Sequence, residues 1–147
     1  MAGIKGLVGE TVLGKKGEVV NVDDIIKDKE AIGLYFSAHW CPPCRGFTPL
    51  LKDYYKTHEE RLAIIFVSSD RDEASFNGYF GEMPWHAVSF NNTEVKGKLS
   101  SKYEIRGIPT LLFLDSNGEM LRKDGRAFVT NKEDPSKLKE KLAQATE

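Results

Sequence analysis

The chain is nearly free of cysteine. Two thiols in 147 residues, Cys41 and Cys44, exclude a scaffold stapled by several disulfides. They also point away from an oxidising compartment, where more cysteines would be spread along the chain. An excess of charge is lacking as well. Lys and Arg number 21 against 22 Asp and Glu, with no dense basic run, so nothing draws the protein to nucleic acid or to an anionic membrane. No apolar stretch is long enough to cross a bilayer, and Met1–Gly6 lacks the apolar core of a signal peptide. The expected location is the cytoplasm, with the nucleus as a second place. Repeats, linkers and low-complexity segments are missing too, so residues 1–147 read as one domain, expected to be monomeric. At 40% hydrophobic, a chain of this length can bury a core without staples.

What is present is an alternation of strand and helix signals. Thr11–Leu13 and Glu18–Val20 flank Gly14-Lys15-Lys16-Gly17 and predict an N-terminal β-hairpin. A short helix is expected over Val22–Lys27, with Asn21 near its cap. Ala31–Ser37 and Leu62–Ser68 are almost continuously apolar, as central strands covered on both faces are. Between them Phe47, Leu50, Leu51, Tyr54, Tyr55 and His58 recur at helical spacing. Pro42 suits the first helical position, and Pro49 predicts a kink. A helix starting near Asp70-Arg71-Asp72-Glu73 would bury Phe76, Tyr79 and Phe80 and end at Met83-Pro84-Trp85. A short strand near Ala87–Phe90 and a helix over Thr93–Tyr103, with Val95, Leu99 and Tyr103 inward, should follow. Next come Gly107-Ile108-Pro109-Thr110, a strand over Leu111–Leu114, a turn at Asp115–Gly118 into Glu119–Arg122, and a last helix capped by Asp134-Pro135 with Leu138 and Leu142 inward. The architecture implied is α/β, a mixed sheet with helices on both faces.

The two cysteines stand three apart in Trp40-Cys41-Pro42-Pro43-Cys44-Arg45, after a strand and at the start of a helix. A sulfur there sits near free N–H groups and the positive end of the helix dipole, which favours the thiolate. Cys41 is therefore the expected nucleophile, and Cys44, one turn into the helix, the buried partner that resolves a mixed disulfide. Pro42 and Pro43 have no N–H to offer the sulfur and limit how far the turn can change. A closed zinc site would need four ligands, whereas the chain has no second pair and its histidines, His39, His58 and His86, are scattered. A purely structural bridge is disfavoured because so short a loop constrains little of the unfolded chain. Trp40 suits a contact surface for partner proteins better than a lid over the sulfurs. Pro109 opens a strand either as a trans residue, which the residues alone favour, or as a cis residue that exposes the Ile108 backbone for pairing with substrate. His39 adjoins the site and could tune the thiolate. Asp70 lies either near the site or at a helix cap.

With these motifs in place the chain resembles thioredoxin-fold proteins, and more narrowly the tryparedoxin/nucleoredoxin group. The likeness rests on Tyr35-Phe36-Ser37-Ala38, Trp40–Cys44, Arg45-Gly46-Phe47-Thr48-Pro49, Val67-Ser68-Ser69-Asp70-Arg71, Tyr79-Phe80, Met83-Pro84-Trp85 and Gly107–Thr110, and runs from about Gly9 to about Pro135. It implies a thioredoxin fold and a cis Ile108–Pro109 bond packed on the cysteines. It also implies a dithiol oxidoreductase that reduces protein disulfides, with electrons from an upstream dithiol or NADPH-dependent reductase and no cofactor or metal beyond the redox-active pair. Trp40, Pro42, Pro43, Ile108, Pro109 and Arg126 are the implied substrate-binding residues. A redox-sensitive binding module that regulates partner proteins is the alternative. Two departures stand out. Tyr35 occupies the strand position where typical thioredoxins have a buried Asp, and Ser69-Asp70-Arg71 replaces the Trp-Asp-Glu of tryparedoxins.

Overall fold

The computed structural model describes residues 3–138. A short helix α1 (Gly3–Val8) precedes the hairpin β1 (Thr11–Leu13) and β2 (Val19–Asn21). Helix α2 (Val22–Ile26), strand β3 (Ala31–Ser37), the long α3 (Pro42–His58), β4 (Leu62–Ser68) and α4 (Glu73–Phe80) follow. The chain continues through β5 (His86–Ala87), α5 (Thr93–Lys102), β6 (Thr110–Leu114), β7 (Met120–Arg122) and α6 (Gly125–Thr130). The strands form one sheet in the order β2-β1-β5-β4-β3-β6-β7. Strand β3 pairs parallel with β4 and antiparallel with β6, so the sheet is mixed, as expected.

Side chains along β3 point alternately to opposite faces, and both faces are covered. Ala31 and Tyr35 join Phe66, Leu111 and Phe113 under α3, α4 and α6. Ile32, Leu34 and Phe36 join Ile65, Val67 and Leu112 under α1, α2 and α5. A strand buried on both sides admits a polar group only where a hydrogen-bond partner is at hand, which explains the nearly continuous apolar runs. Gly33 belongs to the first face, where an added Cβ would come within 3.2 Å of a Leu111 methyl and 3.3 Å of the Phe113 ring.

Several sequence expectations need correction. Leu50 is 49% exposed rather than buried. At 100° per residue the inward stripe of α3 is set by Cys44, Phe47, Thr48, Leu51 and Tyr54, and Leu50 falls off its edge. The cap of α4 is Asp72, whose carboxylate accepts the Ser75 N–H at 2.7 Å, and not Asp70. The strand expected near Ala87–Phe90 is the two-residue β5. Helices α1 and α6 were not foreseen. Leu138 is buried as expected, while Leu142 lies outside the described residues.

Candidate active site

Strand β3 ends at Ser37, and a turn, Ala38-His39-Trp40, delivers Cys41 to the start of α3; the Cys41 N–H reaches back to the Ala38 carbonyl at 3.3 Å. Cys41 is the N-cap of that helix, with extended backbone, and its sulfur accepts the Cys44 N–H at 3.3 Å. A Ser or Asp cap oxygen would satisfy the same orphan donor. Here a sulfur does so, at the positive end of a 17-residue helix, where negative charge is favoured. Cys44 lies one turn on, and the two are joined as a disulfide with Cα atoms 5.2 Å apart.

The two sulfurs differ in access, though by less than the sequence suggested. Cys44 is fully enclosed and Cys41 keeps 5% of its surface, so the expected outer sulfur is a narrow edge. One reason is the loop before β6. The Ile108–Pro109 bond is cis, as the family likeness implied, and the Ile108 carbonyl oxygen lies 3.7 Å from Cys41 Sγ. Thr110 steadies this loop by donating its hydroxyl to the Gly107 carbonyl at 2.7 Å.

All six anticipated substrate-binding residues gather here. Pro42 and Pro43 are exposed beside Cys41. Trp40 is 47% exposed and is tied down by its indole N–H, which donates to the Ser69 carbonyl at 3.0 Å. It is thus a fixed aromatic surface next to the sulfurs. Ile108 faces Cys41 with its carbonyl and packs its partly buried side chain against the core of the second face, while Pro109 is buried. Arg126, from the first turn of α6, donates Nη1 to the Pro109 carbonyl at 3.3 Å and lies 5.8 Å over the Phe47 ring. His39 directs its ring to Tyr79, with centroids 5.6 Å apart, and its backbone N–H to Asp70 at 2.7 Å. Asp70 is buried and also accepts the Ser68 hydroxyl at 2.8 Å. It braces the turn that carries Trp40 and Cys41.

Behind Cys44 lies a feature that sequence reasoning missed. Thr48 Oγ1 is within 2.6 Å of the Tyr35 hydroxyl, 2.7 Å of the Tyr79 hydroxyl and 3.0 Å of the Cys44 carbonyl. Tyr79 in turn meets Ser37 Oγ at 2.7 Å. Each hydroxyl has one proton to give. If Thr48 donates to the Cys44 carbonyl, both tyrosines donate to Thr48, and Ser37 donates to Tyr79. All four groups are buried. Tyr35 therefore replaces the customary buried acid with a neutral donor, and burial, the main cause, raises its phenol well above the ordinary value. The signal was present in part: Thr48 is one turn beyond Cys44 on the same helix face, and Ser37 shares a strand face with Tyr35.

Comparison with known proteins agrees with this geometry. Residues 29–120 match the family model described as thioredoxin-like. Human nucleoredoxin is 49% identical over 106 residues, covering 70% of this chain and 24% of that protein. The chain therefore spans about a quarter of the length of the nucleoredoxins it matches. Tryparedoxin of Trypanosoma brucei brucei is 35% identical over 139 residues, 92% of this chain and 94% of that one. The solved structure of tryparedoxin II from C. fasciculata superposes with a TM-score of 0.83 at 30% identity, covering 92% of this chain and 90% of that one.

Proposed function

The chain belongs to the thioredoxin-like family, among the nucleoredoxins and tryparedoxins, and from that premise we propose that it is a protein-disulfide reductase working through Cys41 and Cys44. One observation carries the reading. Cys41 Sγ caps α3, faces the carbonyl before a cis proline, and is bonded to the enclosed Cys44.

In the reduced protein the Cys41 thiolate attacks one sulfur of a substrate disulfide. The substrate S–S bond breaks, its other sulfur leaves as a thiolate and takes up a proton, and a Cys41–substrate disulfide remains. Cys44 then gives up its proton and attacks Cys41 Sγ. The second substrate sulfur departs, and the Cys41–Cys44 bridge forms. Two electrons from an external dithiol or an NADPH-dependent reductase restore the starting state. Trp40, Pro42, Pro43, Ile108, Pro109 and Arg126 form the docking surface. The chemistry calls for no group besides the two sulfurs and the external thiol. A reducing compartment, the cytoplasm first and the nucleus second, suits a chain whose two cysteines are both spent on this pair.

The test is reduction of insulin disulfides with dithiothreitol as electron source. Cys41→Ser abolishes turnover, and Cys44→Ser accumulates mixed disulfides. Full turnover by both variants would refute the mechanism. Negligible turnover by the wild type, with partners captured equally by reduced protein and by the double-Ser variant, would favour the binding module instead.

A further inference from the structure

The six arginines divide into two sets. Arg61 pairs with Glu30 and Asp134, Arg106 with Glu104, and Arg122 with Asp124 and Glu133. Among the described residues, Arg45, Arg71 and Arg126 have no carboxylate within ion-pair distance, and all three are exposed. These three adjoin the dithiol from separate elements. Arg45 follows Cys44 in the first turn of α3, and its N–H donates to the Cys41 carbonyl at 3.1 Å. Arg71, in the loop after β4, stacks its guanidinium 4.8 Å from the centroid of Trp40. Arg126 is held on Pro109.

The nearby acids form no ion pair with them. Asp70 is buried with its oxygens turned to the His39 N–H and the Ser68 hydroxyl. Asp72 is exposed, but one of its oxygens is engaged in capping α4. A protein with a net charge of −1 thus carries its three arginines that lack an ion pair on the elements that border the dithiol. An arginine without a partner, fixed on an aromatic ring or a carbonyl, offers its remaining N–H donors to an incoming carboxylate.

We propose that Arg45, Arg71 and Arg126 form a cationic rim that selects disulfides set in acidic protein segments. This rests on the reductase reading and specifies its substrate class. Carboxylates flanking the target cystine meet the rim as its sulfur reaches Cys41, and flanking lysines are repelled. The rim acts on encounter and docking, and it is screened by salt.

The experiment uses the whole chain and two disulfide-linked peptides of equal length, one with Glu and one with Lys beside the cystine. Neutral hydroxyethyl disulfide serves as reference. At about 10 mM salt the acidic peptide is reduced on the order of tenfold faster than the basic one, and at about 300 mM the two converge. Arg45→Gln combined with Arg71→Gln lowers the low-salt ratio to about twofold, if the three charges contribute alike and independently. Arg71→Lys keeps most of it. A wild-type ratio near one, or a ratio unchanged in the double variant, overturns the rim while leaving the reductase intact, provided the neutral disulfide is still turned over. Failure to reduce even the neutral disulfide overturns both.

Discussion

Replacing Thr48 by Val tests whether the hydroxyl cluster behind Cys44 holds the site together. The swap keeps the branched shape and removes only the hydroxyl. Thr48 is 5% exposed, so water cannot fill in. Three contacts go at once, at 2.6, 2.7 and 3.0 Å. Tyr79 keeps Ser37 at 2.7 Å, and Tyr35 loses its shortest contact and keeps the Cys44 carbonyl at 3.4 Å. Each lost hydrogen bond contributes about 1 kcal/mol net, and a buried hydroxyl left nearly unpaired costs about 1–3 kcal/mol. Burying one more methyl returns about 0.8 kcal/mol. The balance is a loss of about 3–5 kcal/mol, read as a lower urea midpoint at unchanged slope or as a melting temperature lower by roughly 6–20 °C. Thr48→Ser, which keeps the hydroxyl, should cost clearly less. A double-mutant cycle with Tyr79→Phe should show a coupling of about 1 kcal/mol. If Thr48→Val lies within about 0.5 kcal/mol of wild type, the cluster contributes nothing net and the reasoning is wrong.

Two further outcomes are expected. His86 is half-buried, and that burial holds its pKa below the ordinary 6.5 despite Glu18 pulling the other way; His58 is shifted in the same direction by burial. Below about pH 6.5 the unfolded chain therefore binds more protons than the folded one, so stability is full above that pH and declines as pH falls through it. Urea midpoints between pH 7.5 and 5.5 should show this decline, less steeply in His86→Phe, and an identical slope in the variant would rule the histidine out. Gly125→Ala would place a methyl 2.5 Å from the Leu111 carbonyl oxygen, where β6 backbone cannot yield. A loss of about 1–3 kcal/mol is expected from overpacking, together with slower insulin reduction as α6 carries Arg126 off Pro109. Wild-type stability would show that the two elements can move apart.

The sheet was legible because β3 and β4 are enclosed on both faces, and an enclosed strand is written almost wholly in apolar residues. The dithiol was legible because its function lies in sequence-local geometry, a strand, a turn and a helix start. The cis bond at Pro109 was not. Residues alone favoured trans, and only the likeness to a family corrected them. Helices α1 and α6 escaped because each is six residues long and includes glycine; at that length there is no period to read, and packing against the sheet decides the conformation. The hydroxyl cluster escaped for another reason. Its bonds join residues 13, 31 and 42 positions apart, and nothing local in Thr48 or Tyr79 announces a partner so distant. Leu50 misled because its spacing fits an apolar stripe whose true centre was set by Cys44 and Thr48.

The narrow opening over Cys41 has a kinetic consequence. With Cys44 wholly enclosed, the molecule that delivers electrons and the molecule that takes them must use the same doorway, one after the other. No complex can hold both. Turnover then alternates between two half-reactions, and plots of reciprocal rate against reciprocal substrate should run parallel as the donor is varied. Each participant in excess blocks the other. On the proposed reductase reading, a reductant that lingers at the sulfur holds up the substrate waiting behind it.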